Sequence, residues 1–153
     1  IKILNNEGIK VISSIYYNPE LSLKSGNYTK LKPNKDDFVS IKKGIKYFSK
    51  LNQLDHVQAL IVNDGKIAAK EGRGGTRKML TKLEKITQGV LIKFPKKKQD
   101  LRMDLPTIGL QTLKDCKKYG LKGIVLKSKK NIILDKVKCI QFANNNQIFI
   151  KII

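Results

Sequence analysis

Tryptophan is missing from this sequence of 153 residues, and histidine occurs once, at His56. A serine or cysteine hydrolase of the usual kind needs a histidine base beside its nucleophile. No nucleophile lies at a spacing suited to His56, so we exclude this class of enzyme. We interpret His56 as an ordinary surface or loop histidine.

Cysteine and long apolar stretches are also scarce. The two cysteines, Cys116 in a helical pattern and Cys139 in a strand-like pattern, lack the paired spacing of zinc or redox sites. Both are therefore expected to be reduced and buried. The longest apolar runs, such as residues 59–62, are strand-sized and far short of the roughly 20 residues of a membrane-spanning helix. Nothing resembles a signal peptide, which predicts a cytoplasmic protein.

Positive charge, in contrast, is abundant. Lysine and arginine contribute 32 residues against 12 acidic ones, giving a net charge of +20. Such a charge attracts nucleic acid, an anionic membrane or a phosphorylated substrate. Nearly all of it is lysine in a chain rich in Ile and Asn, which is typical of AT-biased coding, and the aromatic residues do not alternate with basic ones as in a base-stacking platform. The charge therefore favours phosphate-bearing or membrane-associated ligands only weakly.

The apolar pattern predicts alternating helices and strands. Asp36 or Asp37 is expected to cap a first long helix. Its apolar residues follow a 3-4-3 spacing that predicts one buried stripe: Phe38, Ile41, Ile45 and Phe48. Apolar runs on both sides of Asn63-Asp64-Gly65 predict a β-hairpin. Further strands are predicted at residues 90–94, 123–126, 132–134 and 148–152, and further helices after Thr76 and over residues 111–119.

These elements predict an α/β fold in which a mixed β-sheet is flanked by helices, because the hairpin adds an antiparallel pair to the alternating order. The two later helices are expected to turn these residues inward: Met79, Leu80, Leu83 and Ile86 in one, and Leu110, Leu113 and Cys116 in the other. Residues 18–35 are polar and rich in turn formers, so we interpret them as a linker. A single domain is expected over residues 36–153.

A glycine-rich turn, Gly72-Arg73-Gly74-Gly75-Thr76, lies between a predicted strand and a predicted helix. Glycines allow close approach of the backbone and a helix start offers unpaired N–H groups, so this turn is a plausible phosphate cradle. It matches neither the Walker pattern nor Gly-x-Gly-x-x-Gly. A tight turn with Thr76 as helix cap is an equally good interpretation.

The segment from Gln99 to Gly109 holds two carboxylates, Asp100 and Asp104, and one of only three arginines, Arg102. Mg²⁺ prefers carboxylate oxygens, and a guanidinium fork matches a phosphate. If the strands before this loop and before the glycine-rich turn are neighbours, both loops open at one sheet edge. Glu71 would then join a set that binds one Mg²⁺, orients a water and neutralises a phosphoryl group. A surface salt bridge on an ordinary loop is the alternative.

The order of these motifs resembles the C-terminal domain of the LpxI-type UDP-2,3-diacylglucosamine pyrophosphatases. The resemblance covers about residues 36–153, and the Gln-Asp-Leu-Arg-x-Asp-x-Pro-Thr-x-Gly pattern of residues 99–109 is its most specific element. The other matching positions are residues 57–65, Glu71, Gly75, Thr76, Met79, 90–93, Thr112, 123–124 and 133–135. Residues 1–17 are similar to the end of the family's N-terminal domain, and the rest of that domain is expected to be missing from this chain.

The resemblance implies Mg²⁺-dependent hydrolysis of UDP-2,3-diacylglucosamine to UMP and 2,3-diacylglucosamine 1-phosphate, a step of lipid A biosynthesis. The implied partners are the UDP-linked diacylglucosamine lipid, the N-terminal domain of the same chain and the anionic surface of the inner membrane. The implied location is the cytoplasm, peripheral to the inner membrane of a Gram-negative bacterium. No nucleic-acid partner is expected.

The resemblance also implies roles for individual residues. Asp100 and Asp104 are the expected metal-binding or water-orienting acids, and Arg102 is expected on the diphosphate. The candidates for substrate binding are Gln58, Glu71, Gly75, Thr76, Gln99 and Thr107, with Lys93 as a weaker candidate for charge neutralisation.

Two departures accompany this resemblance. The family usually has Glu-Gly-Thr-Asp where this chain has Gly74-Gly75-Thr76-Arg77, so two expected acids are replaced. Other functions therefore stay open: a basic nucleic-acid-binding module, and a catalytically silent α/β domain that serves in assembly.

Overall fold

A mixed six-stranded sheet organises the chain in a computed structural model, which describes residues 1–52, 56–83 and 88–153. Its strands are β1 (Gly26–Asn27), β2 (Ala59–Asn63), β3 (Lys66–Lys70), β4 (Val90–Lys93), β6 (Gly123–Leu126) and β8 (Phe149–Ile152). Their order across the sheet is β1-β8-β6-β4-β2-β3. Strands β4, β6 and β8 are parallel, while β2 is antiparallel to both of its neighbours and β1 is antiparallel to β8.

Short elements and helices complete the fold. Two further strands, β5 (Thr107–Ile108) and β7 (Ile132–Ile133), form a separate parallel pair. The helices are α1 (Lys2–Asn6), α2 (Ser14–Tyr17), α3 (Lys35–Lys50), α4 (Gly75–Thr81), α5 (Leu110–Lys118) and α6 (Lys136–Asn145), with a 3-10 turn at Pro19–Leu21. None of the helices in the described ranges has both the length and the apolar character needed to cross a bilayer.

Both faces of the sheet are covered by helices, because successive side chains of a strand point to opposite faces. On one face, Leu60 of β2 packs in a cluster with Ile41 and Phe48 of α3. On the other face, Ile61 packs in a cluster that includes Leu80 of α4 and residues of α5 and α6. The predicted α/β fold with a mixed, helix-flanked sheet is confirmed.

The hairpin between β2 and β3 is confirmed in detail. Asp64 and Gly65 form its turn with φ angles of 47° and 67°. Positive φ at both central turn positions is typical of type I′ turns, whose twist matches that of the flanking strands. The predicted strands at 90–94, 123–126, 132–134 and 148–152 are likewise present as β4, β6, β7 and β8, with small differences at their ends.

The cap of α3 differs from the prediction. Asn34, rather than Asp36 or Asp37, is the N-cap, and its side chain accepts a hydrogen bond from Asp37 N at 2.9 Å. The Asp37 carboxylate in turn accepts one from Asn34 N at 2.8 Å. This capping box satisfies two N–H groups that a helix start would otherwise leave unpaired, and it needs the acid three residues after the cap.

The buried face of α3 is only partly the predicted stripe. Ile41 and Phe48 are buried, but Phe38 is 42% exposed and Ile45 37% exposed. Gly44 faces the sheet so closely that a Cβ atom there would clash with a side chain of β4. Because the helix approaches the sheet at this glycine, the line of contact runs through Gly44 and leaves Phe38 and Ile45 at the edges.

The segment predicted as a linker, residues 18–35, is partly built into the domain. Its strand β1 pairs with β8, and Leu23 is 1% exposed. Thr29 Oγ1 accepts a hydrogen bond from Ile150 N at 2.9 Å. Burial of Leu23 and the hydrogen bonds to β8 therefore attach this segment to the domain, although its composition is typical of a loop.

Helix α6 is not predicted by the sequence pattern, and Cys139 lies in it rather than in a strand. Cys139 and Cys116 are both buried and unbridged, as expected. Burial raises the pKa of each thiol, which keeps it in the unreactive protonated form.

The other inward-facing predictions mostly hold. In α4, Met79 and Leu80 are buried, and Leu83 beyond the helix end packs against the same cluster. Ile86 lies outside the described residues. In α5, Leu113 is buried and Leu110 is partly buried against the core.

Candidate active site

The two predicted motifs lie at one edge of the sheet, although the strands before them are not neighbours. Strand β2 separates β3 from β4 and is antiparallel to both. Strands β3 and β4 therefore run in the same direction and end at the same edge, where Gln58 precedes β2. Glu71 follows β3 at this edge, and Lys93 is the last residue of β4.

Glu71 is the buried acid of this edge, with 6% of its surface exposed. Its Oε2 accepts a hydrogen bond from Gln58 N at 2.9 Å, and its Oε1 accepts one from Thr76 Oγ1 at 2.7 Å. Both carboxylate oxygens are thus used to hold neighbouring segments, so Glu71 ties the glycine-rich turn to the start of β2.

Thr76 does not cap α4. Gly74 is the N-cap of this helix without a side-chain hydrogen bond, and Gly75 begins the helix with a φ of 77°. The Thr76 hydroxyl instead donates its hydrogen bond to the Glu71 carboxylate, five residues earlier in the chain. The interpretation of Thr76 as a helix cap is therefore wrong.

Lys93 adds a half-buried cation to this group. Its Nζ donates a hydrogen bond to Thr76 Oγ1 at 3.0 Å. Burial lowers the pKa of Lys93, while the charges of Glu71 and Asp104 act in the opposite direction. Among many lysines the sequence marks this one only weakly, and its burial at the end of β4 distinguishes it.

Gln99 joins the second motif to the first. Its Oε1 accepts hydrogen bonds from Gln58 Nε2 at 2.6 Å and from Lys96 N at 3.0 Å. Its Nε2 donates to Asp104 Oδ2 at 2.7 Å. A chain of hydrogen-bonded groups therefore runs from Glu71 through Gln58 and Gln99 to Asp104.

Asp100 and Arg102 form an exposed ion pair. The carboxylate accepts from Arg102 Nε at 2.9 Å and from its terminal nitrogen at 2.7 Å. These hydrogen bonds lower the pKa of Asp100 to about 2. The surface salt bridge that the sequence left as an alternative is thus present, and it brings together two predicted site residues.

Thr107 and Asn131 make hydrogen bonds at the C-terminal end of this loop. Thr107, a predicted substrate-binding residue, donates its hydroxyl hydrogen to Leu105 O at 2.8 Å. Asn131 is fully buried, and its Nδ2 donates to Lys93 O and Pro106 O, both at 3.1 Å. Sequence reasoning missed Asn131; an amide just before the apolar run of β7 is the only signal for it.

An open pocket of about 400 Å³ lies against the glycine-rich turn. It is lined by His56, Gln58, Glu71, Gly72, Arg73, Gly75 and Lys96. Its walls thus combine glycine backbone, cationic and amide side chains and the Glu71 carboxylate. Because both oxygens of that carboxylate already accept hydrogen bonds, the cations are left to a phosphate-bearing ligand. His56 is exposed in a loop, as expected, and still lines this pocket.

Comparison with known proteins identifies the family. The sequence model described as the LpxI C-terminal domain matches residues 24–151. This chain belongs to the LpxI family. The match begins inside the segment that the sequence pattern assigned to a linker, in agreement with the pairing of β1.

A curated member of the LpxI family gives the scale of the likeness. The UDP-2,3-diacylglucosamine pyrophosphatase LpxI of Caulobacter vibrioides is 29% identical over 154 residues. The alignment covers 94% of this chain and 55% of the relative, so the chain spans about half the length of the relative that it matches.

The fit of Mg²⁺ to this LpxI-family site is partial. Within residues 1–52, 56–83 and 88–153, no group of three or more His, Cys, Asp or Glu side chains is placed to hold one ion. Mg²⁺ is often bound by one or two carboxylates together with water and substrate phosphates. Asp100 and Asp104, which lie in one turn, supply that number. In number, these two carboxylates match an ion that is shared with a phosphorylated substrate.

Proposed function

We propose that this chain supplies the diphosphate-hydrolysing site of a UDP-2,3-diacylglucosamine pyrophosphatase, which forms UMP and 2,3-diacylglucosamine 1-phosphate in lipid A biosynthesis. The observation that carries the proposal is the hydrogen-bonded chain from Glu71 to Asp104, together with the half-buried Lys93. Membership of the LpxI family and the activity for which the Caulobacter vibrioides relative is named support the same function.

In this proposal Arg102 binds the substrate's diphosphate. A guanidinium pairs with a phosphate as readily as with a carboxylate, and the pair with Asp100 is exposed. Transfer of the Arg102 side chain to the diphosphate frees Asp100 Oδ2 without breaking any buried contact, while Oδ1 keeps its hydrogen bond from Arg102 N at 3.0 Å. Substrate binding thereby makes an oxygen of Asp100 available for the role proposed for this residue, which is to hold Mg²⁺.

Asp104 and Gln99 orient the attacking water. Gln99 holds one oxygen of the Asp104 carboxylate at 2.7 Å from its Nε2, and the carboxylate can take up the proton of a water that attacks phosphorus. Lys93, near Asp104 and Glu71, offsets negative charge that accumulates on the phosphoryl oxygens. Gly75, Gln58 and Glu71 line the pocket proposed for the phosphate-bearing part of the substrate, and Thr76 holds Glu71 in place.

Mg²⁺ is the proposed cofactor. Asp100 and Asp104 would hold it together with the substrate's phosphates, and it would supply a Lewis acid for the diphosphate.

We further propose that the protein works in the cytoplasm at the inner membrane of a Gram-negative bacterium. The +20 net charge favours contact with its anionic surface, and the part of the relative that this chain does not cover is proposed as a further domain of the same protein.

The proposal is tested by the release of UMP from UDP-2,3-diacylglucosamine, measured for this chain and for the longest open reading frame that contains it. Asp100→Ala and Asp104→Ala are each expected to lower the rate by about a hundredfold or more. Asp36→Ala removes an exposed carboxylate on α3 and is expected to keep the wild-type rate. EDTA is expected to stop the reaction and added Mg²⁺ to restore it.

Two outcomes would overturn parts of this proposal. Wild-type rates in both Asp100→Ala and Asp104→Ala would show that the site is assigned to the wrong residues. Absence of UMP release, combined with duplex binding that weakens steeply as salt is raised, would favour the alternative of a nucleic-acid-binding module.

A further inference from the structure

A second pocket, of about 350 Å³, opens beside the candidate active site and has an apolar floor. Its floor includes Phe48, Leu51 and Phe94, and the centroids of the two phenyl rings are 4.9 Å apart. Phe48 and Phe94 are buried, while Leu51 is half-buried. We name this space the Phe94 pocket. An apolar floor of this kind gains free energy by covering apolar groups of a ligand.

The rim of the Phe94 pocket is cationic. Lys127 Nζ lies 5.6 Å from the centroid of the Phe94 ring, so the charge stands directly above the apolar floor. Lys96 and Lys130 line the same opening. None of the lining residues that the structure describes is acidic. The pocket therefore complements a ligand that combines an apolar part with an anionic group.

The Phe94 pocket adjoins the candidate active site. Lys96 lines both this pocket and the pocket at the glycine-rich turn. Gln99, which also lines the Phe94 pocket, is hydrogen-bonded to Gln58 at the edge of the sheet. A ligand with its phosphates beside Lys96 can therefore extend one end into each pocket.

We propose that the Phe94 pocket receives an acyl chain of the substrate, with a phosphate at the lysine rim and the nucleotide end in the pocket at the glycine-rich turn. This inference rests on the proposed function. It divides the site by chemistry: glycine backbone and polar side chains on the nucleotide side, phenyl rings and leucine on the lipid side. Lys96 lies between the two and faces the diphosphate.

Direct binding tests the pocket without reference to turnover. Monododecyl phosphate, kept below its micelle concentration, is titrated into this chain by calorimetry. Leu51→Trp fills the floor of the pocket and is expected to weaken binding about tenfold, since it displaces a few methylene groups. Lys130→Glu reverses a rim charge and is expected to weaken binding about fivefold. Inorganic phosphate is expected to bind Leu51→Trp and wild type equally.

The matched control is Lys43→Glu, which makes the same charge change at an exposed position of α3 outside the pocket. It is expected to change the affinity for monododecyl phosphate by less than about twofold, because salt screens distant surface charges. Equal affinities in Lys130→Glu and Lys43→Glu would overturn the proposal even if Leu51→Trp fails to fold. So would wild-type protein that does not bind monododecyl phosphate.

Hydrolysis separates this inference from the function on which it rests. If wild type releases UMP and Leu51→Trp leaves the KM for UDP-2,3-diacylglucosamine unchanged, the acyl site is wrong while the function stands. If wild type releases no UMP, the proposed function fails and the calorimetric titration alone decides about the pocket. Vesicle binding that Lys130→Glu abolishes, with monododecyl phosphate affinity unchanged in Leu51→Trp, would assign the lysines to a membrane surface and overturn the acyl site.

Discussion

Two carboxylates of the candidate site, Glu71 and Asp100, occupy opposite environments. Glu71 is 6% exposed and holds a backbone N–H and a hydroxyl with its two oxygens. The side chain of Asp100 is 39% exposed and is paired with one neighbour in the same turn, Arg102. Buried polar networks are costly to disturb, whereas exposed ion pairs contribute little to stability.

The difference suggests a division of labour within the site. The side around Glu71 is a scaffold, because its buried contacts join three segments: the end of β3, the residue before β2 and the start of α4. The side around Asp100 is exchangeable, because an incoming phosphate can take Arg102 at small cost. Asp104 lies between them, with its carboxylate held by Gln99 at 2.7 Å. Asp104 is therefore the acid at which the buried hydrogen-bonded network of Glu71 meets the exposed loop of Asp100.

The largest effect on stability is expected from Asn131→Ala. This substitution removes the buried side-chain amide that links the end of β4 to the loop before β5. The change leaves Lys93 O, Pro106 O and Lys127 N without this partner. We expect the free energy of unfolding to fall by about 3 kcal/mol, as measured by urea denaturation. The exposed Asn145→Ala is the control, expected within about 0.5 kcal/mol of wild type. Similar values for both variants would contradict the anchoring role.

Glu71→Gln tests the rigid side directly. The amide keeps the shape of the side chain but loses one acceptor and the negative charge near Lys93. A loss of about 2 kcal/mol in the free energy of unfolding is expected. Asp100→Asn, measured in the same urea series, is expected to show no resolvable change. Equal losses in the two variants would remove the contrast between the two regions.

Lys93 is expected to make stability depend on alkaline pH. Burial lowers its pKa in the folded protein below the ordinary value of 10.5. Between these two values the unfolded chain binds more protons than the folded one, so the free energy of unfolding rises with pH across that window. Lys93→Met is expected to lose this part of the rise, and the exposed Lys42→Met to retain it. Urea unfolding at a series of alkaline pH values measures the slopes, which must differ if the assignment is right.

The smallest effect is expected at Arg102. Its hydrogen bonds hold the pKa of Asp100 at about 2. Arg102→Gln is expected to raise the pKa of Asp100 towards its ordinary value of 3.8, with no resolvable change in stability at neutral pH. Titration of the Asp100 carboxyl carbon by NMR measures it. An unchanged value would mean that the pair does not persist in solution.

Features that depend on neighbouring residues were predictable from the sequence. The turn at Asp64 and Gly65 needs only residues that tolerate positive φ between apolar runs. The turn that carries Asp100 and Arg102 is equally local, since the two residues pair with each other. The predicted N-cap of α3 was wrong by a few residues. Several polar residues in a row have side chains that can cap a helix, and the structure shows that Asn34 takes this role in a capping box with Asp37.

Features that depend on distant residues were not predictable. Gln58 and Gln99 are 41 positions apart, and nothing in either segment announces a 2.6 Å hydrogen bond between them. The role of Thr76 was not predictable either, although its partner Glu71 is only five positions away, because the path of the backbone between β3 and α4 decides whether the hydroxyl meets the carboxylate or the start of the helix. Asn131 has no local signal beyond its polarity, although it anchors two segments.

The amino-acid sequence by itself determined the α/β class, the hairpin and the set of acids, amides and basic groups at the site, because periodicity and turn chemistry act over a few residues. Only the tertiary structure decided which of these groups meet. The antiparallel insertion of β2 between β3 and β4 brings both loops to one edge. This arrangement buries Glu71, half-buries Lys93 and leaves Asp100 exposed in an ion pair. Burial and distance are properties of the packed chain, so the sequence alone could not decide them.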